Sequence, residues 1–145
     1  QLAFNLMMGM TVFLIVSYVY PNAQHLRPTE FPRDNIFTDM VKWLYSTDTP
    51  TNILPSIHVF NSLAIHMSLT NCEALRDKKI VKAASFTLTA LIIMSTMFLK
   101  QHSVIDVCMG TTLALFGFLF FYPRKAAVSS RASYFGEARR KKSEN

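Results

Sequence analysis

The chain has 145 residues, half of them hydrophobic, with a mean hydropathy of +0.22, which makes about one domain and is too apolar for a disordered segment. A formal charge of +6 and an isoelectric point of about 9.6 fit either nucleic acid or a membrane surface, so the placement of the charges has to decide. Cys72 and Cys108, with no CxxC and no histidine at zinc-finger spacing, exclude a disulfide framework and a structural zinc site.

The chain opens on Gln1 with no cationic segment before its first apolar run, so a processed or truncated chain is expected rather than a signal peptide. Leu2 to Tyr20 carries no charge over a length that spans a bilayer, where about 20 apolar residues are needed. Its polar positions, Asn5, Thr11 and Ser17, are neutral groups that a membrane helix can carry. Pro21 to Ser56 is a long polar connection, within which Ile36, Met40, Trp43 and Leu44 recur at helical spacing and predict a short amphipathic helix along the membrane. Ile57 to Thr70 mixes apolar residues with His58, Asn61, Ser62 and His66, as expected of a helix inside a bundle. Ile80 to Leu99 predicts a second spanning helix, interrupted only by Lys82, whose long side chain can reach the headgroups. Val104 to Tyr122, closed by Pro123, predicts another, with Asp106 in its first turn. The expected fold is an all-α integral membrane bundle of about four transmembrane helices over residues 1–123. A solvated basic tail is expected over residues 124–145.

Charge placement gives the expected orientation. Glu73 to Lys82 carries a net +2 and the tail a net +5, whereas Pro21 to Ser56 carries −1. Positive short loops stay on the cytoplasmic side. Both chain ends are therefore expected inside and the long connection outside. The basic excess then reports orientation, and no nucleic-acid partner is expected.

The costly polar residues gather at the outer ends of these helices. An ionisable residue at membrane depth raises the free energy unless it is paired or used, so such a cluster marks a candidate site. In Pro55-Ser56-Ile57-His58, Ser56 is a natural N-cap, and the free N–H groups of a helix start favour an anion. In Lys100-Gln101-His102-Ser103-Val104-Ile105-Asp106, the histidine and aspartate are four apart, on one face if the segment is helical. A carboxylate on one imidazole nitrogen fixes the tautomer and leaves the other as base or nucleophile. Arg27 and Lys100 add donors for phosphate oxygens. The set fits phosphoryl transfer through a covalent histidine.

Arg27-Pro28, Pro55-Ser56-Ile57-His58, and Ser95 through His102 to Asp106 together give the chain its likeness to a family. From about Tyr20 to Tyr122 it resembles the type 2 phosphatidic acid phosphatase and vanadium haloperoxidase superfamily, especially the inositolphosphotransferase-like membrane branch. The resemblance implies that His102 attacks phosphorus, Asp106 orients it, His58 protonates the leaving alcohol, and Arg27, Ser56 and Lys100 hold phosphate oxygens. It implies a lipid phosphate substrate in the bilayer, with no metal and no cofactor. It also implies about two further helices upstream. Departures stand at Tyr20, where the family usually has lysine, at Ile57, where it has glycine, and at Thr96, where it has arginine. Lys100 is placed to replace one lost cation. Two other readings are a non-catalytic relative of the same fold and a bundle binding haem or a metal through His58, His66 and His102. His66, about 12 Å deeper along its helix than His58, is read as a hydrogen-bonded interior residue. Cys72 and Cys108 are read as small packing residues.

Overall fold

The structure is a computed structural model that describes residues 1–122; the expected basic tail lies outside the described residues. Five α-helices and no strands are found among them: α1 (Leu2–Val19), α2 (Ile36–Thr47), α3 (Ile57–Asn71), α4 (Lys79–Phe98) and α5 (Val104–Phe121). A short 3₁₀ turn, Glu73–Leu75, joins α3 to α4.

Side-chain oxygens fix three of the helix starts. Asn35 accepts from Thr38 N–H, Ser56 from Val59 N–H, and Ser103 from Asp106 N–H. Each satisfies a donor that the first turn leaves without an intrahelical partner. Ser103 and Asp106 form a reciprocal capping box, so the carboxylate of Asp106 is held by the backbone it caps.

α3 is the hub, packing against α1, α4 and α5. Its Phe60 and Ala64 meet Ala114 of α5 in the buried core. Helices can close on it because small residues face it. A Cβ at Gly9 would overlap the Phe60 ring, and one at Gly110 would lie 2.7 Å from the Ser56 carbonyl oxygen.

The surface is inverted relative to a water-soluble bundle. Five apolar residues are buried among those described, while Phe4, Leu14, Phe86, Leu91, Phe116 and Phe120, among many others, stand exposed. α1, α4 and α5 are each long and apolar enough to cross a membrane. In water such a surface would drive aggregation; in lipid it is matched. The protein is an integral membrane helical bundle. α3, at 15 residues, spans only about 22 Å and stays enclosed by its neighbours, as its polar content predicts. The expected Ile57–Thr70, Ile80–Leu99 and Val104–Tyr122 helices appear to within a residue at either end.

The connection over residues 21–56 is closed at its base. Ala23 and Thr51 form an antiparallel bridge, and Asn22 Oδ1 accepts from the N–H groups of Ile53 (2.8 Å) and Leu54 (3.1 Å). α2 forms where predicted and exposes Ile36, Phe37, Met40 and Trp43. Both cysteines are free and exposed, so the packing role read for them in the sequence does not hold; Cys108 lies on the outer side of a spanning helix.

Candidate active site

Three segments converge where α3 and α5 begin and α4 ends. Ser56 N–H donates to the Asp106 carbonyl (3.3 Å), tying the start of α3 to the first turn of α5. His58, in the first turn of α3, then stands with Nδ1 3.4 Å from Nε2 of His102. Nδ1 of His102 lies 3.7 Å from Oδ2 of Asp106. These three residues make one row of groups, histidine to histidine to carboxylate.

The geometry of His102 and Asp106 differs from the helical-face expectation. His102 precedes the Ser103 cap and is not on α5. It meets Asp106 because the capping box draws the carboxylate back over the loop: Oδ2 accepts from Ser103 N–H at 2.7 Å. At 3.7 Å the His102 contact is an electrostatic one, and Nδ1 has no hydrogen-bond partner. His102 is buried and Asp106 almost completely so, while His58 is exposed. Burial pushes the His102 imidazole below its ordinary value of 6.5, the His58 ring adds to this, and Asp106 and then Asp48 oppose it. The imidazole is thereby kept neutral into mildly acidic solution.

The other expected residues are placed differently. Ser56 is fully buried with its hydroxyl turned to Val59 N–H, so it serves the helix start and is not on the cavity wall. Arg27 stacks over Tyr45, 4.7 Å from the ring centroid, and pairs with Asp48, Nη2 to Oδ2 at 2.8 Å. It also donates to the carbonyls of Tyr45 and Asp48. Lys100 is exposed and takes a left-handed backbone, φ 53°, just after α4. Thr96 is buried, and its carbonyl accepts from the N–H groups of Gln101 and His102, shaping the loop from below. His66 bonds Ser85 Oγ at 3.1 Å, as an interior histidine should, and does not join the other two histidines.

A cavity of about 270 Å³ opens beside the histidine pair, with Ser17, Asp48, Asn52 and Gln101 on its wall. Asp48, Gln101, Gln24 and Tyr45 were not legible as site residues. Gln101 Nε2 donates to Asp48 Oδ2 (3.1 Å), Tyr45 hydroxyl to the Leu99 carbonyl (2.8 Å), and Gln24 Nε2 to the carbonyls of Lys100 and Gln101. The connection over residues 21–56 is thus latched to the loop that carries His102. These bonds join residues 53 to 77 apart, and no local spacing announces them.

No curated protein and no solved structure shows significant similarity to the chain. The model of the PAP2 superfamily matches residues 4–128, a span that contains every residue of the histidine row and the latch. The chain belongs to the PAP2 superfamily, which supports phosphatase activity on phosphate esters.

Proposed function

We propose that the protein is a membrane lipid phosphatase or phosphotransferase that works through a phosphohistidine at His102. The observation that carries this reading is the row His58, His102, Asp106, whose two histidines line the cavity. Asp106 faces Nδ1, so Nε2 is the atom offered to phosphorus. Nε2 attacks, the P–O bond to the lipid alcohol breaks, and His58 gives its proton to the departing oxygen. Water or a second alcohol then attacks the phosphohistidine, returning His102 and releasing phosphate or a new ester. Choice of acceptor separates the phosphatase from the transferase of the inositolphosphotransferase-like branch.

In-line displacement puts the leaving oxygen on the far side of phosphorus from Nε2, with the attacking atom about 3 to 3.5 Å from phosphorus. The 3.4 Å contact between the histidines leaves no room for this. His58, exposed and unrestrained on its outer side, therefore swings away when substrate enters. Ser56 supports the site through the helix start; Arg27, paired with Asp48, and Lys100 do not line the cavity and act on the phosphate only through the longer-range field. The charge pattern supports an active site on the non-cytoplasmic face, with both ends of the chain cytoplasmic.

The test is to trap labelled phosphate from a lipid phosphate substrate on the purified protein in bilayers. The parent should give an acid-labile, base-stable label, and His102→Ala none, with turnover reduced by at least ~10³-fold. Equal labelling or turnover in the variant overturns the mechanism. Inactivity of the parent on all lipid phosphates would instead favour a non-catalytic relative.

A further inference from the structure

Asp48 stands on the cavity wall beside His58 and His102, a second carboxylate whose charge, after that of Asp106, favours the protonated form of His102. Its Oδ2 takes two donors, Arg27 Nη2 and Gln101 Nε2. Its Oδ1 has no partner among the described residues, and the side chain is 42% exposed. Arg27, by contrast, is 11% exposed and does not line the cavity, and neither does Lys100. The Arg27–Asp48 pair thus turns its negative end to the substrate. The rest of the nearby polar wall is neutral: Ser17, whose buried hydroxyl has no partner, with Thr49, Thr51, Asn52 and Gln101.

We infer that Asp48 is a specificity-determining residue that admits a single phosphoryl group to the histidine pair and rejects a lipid pyrophosphate. The inference rests on the phosphohistidine reading. One phosphoryl group can be placed against His102, with its ester oxygen toward His58. A second phosphate must extend into the cavity, where it meets an open carboxylate oxygen and no cation on the wall. Like charges brought together in a partly desolvated site are disfavoured, and rejection by a charge left without a partner on one side is a general means of selectivity. An uncharged substituent meets no such penalty, and a hydroxyl can donate to Oδ1.

The experiment compares kcat/KM for one lipid alcohol as its monophosphate and as its pyrophosphate, with the full chain in bilayers of fixed composition. The parent should prefer the monophosphate. Asp48→Asn should lower the monophosphate-to-pyrophosphate ratio by about tenfold or more, and Asp48→Glu should keep the parent's ratio. Arg27→Gln, which leaves Asp48 uncompensated, should slow both substrates while moving the ratio the opposite way. These opposite shifts are not expected of variants that merely loosen the fold. A parent that prefers pyrophosphate, an unchanged ratio in Asp48→Asn, or shifts of the same sign in Asp48→Asn and Arg27→Gln overturns the inference and leaves the His102 mechanism standing. A parent inactive on both substrates overturns the two together.

Discussion

At the scale of single residues, the decisive relation is between His102 and the groups that face it. His102 acts as a nucleophile only when neutral, so activity should fall as pH drops through its lowered pKa, on the acid side of 6.5. Asp106 holds that value up and is the carboxylate facing Nδ1. Asp106→Asn should therefore cut kcat by about 10²-fold or more and move the acid limb of the pH–rate profile to lower pH. A limb that moves upward would contradict the assignment. The sign for stability follows from the same depression. The folded state binds the proton less readily than the unfolded chain, so this residue's contribution is complete above about pH 6.5 and is lost as pH falls below it. His58, His102 and Asp106 were legible because each lies in a short motif whose chemistry can be read locally. Ser56 was legible as a helix cap, which is the role it has. Asp48 was not, because a carboxylate closing an amphipathic helix looks like ordinary solvated charge until Arg27 and Gln101 are seen converging on it.

At the scale of elements, activity depends on how closely α5 approaches α3. Gly110 lies against the Ser56 carbonyl, and a backbone carbonyl at a helix start cannot move aside as a side-chain end can. Gly110→Ala should cost about 1 to 3 kcal/mol by overpacking and lower kcat at least tenfold by displacing the start of α3, and the backbone that carries His58, from the first turn of α5, measured by thermal melting and turnover in the same bilayers. An active variant with unchanged melting would show that the seam can open without harm. The latch gives a second, milder test. Tyr45→Phe removes the bond to the Leu99 carbonyl but keeps the ring under Arg27, and should cost about 1 kcal/mol and reduce kcat a few-fold with little change in KM. The helices themselves were legible because uninterrupted apolar runs leave few alternatives. How α2 docks was not, since its amphipathic pattern predicts a helix at an interface and says nothing of which loop it fastens.

At the scale of the whole molecule, the hydrophobic composition and the basic charge have separate causes: the first is the lipid-facing exterior of α1, α4 and α5, the second the cations that the sequence concentrates in Glu73 to Lys82 and in residues 124–145. Cys72, exposed at the end of α3 remote from His58, offers a direct check on orientation. A membrane-impermeant thiol reagent should label Cys72 in inside-out vesicles and not in right-side-out ones, with Cys72→Ser as the control. Labelling from the outer side would invert the topology and place the histidines in the cytoplasm.

The bond from Ser56 N–H to the Asp106 carbonyl also bears on the order in which the protein is made. α1, the connection over residues 21–56 and α3 are synthesised before α5, and His58 is made well before its partner. His102 and Asp106 arrive with α5, the last described helix, and neither has its active surroundings until that helix has inserted against α3. A chain arrested before α5 would therefore sit in the membrane as a lipid-soaked but silent bundle, and hydrolytic capacity would appear in one step when insertion is complete.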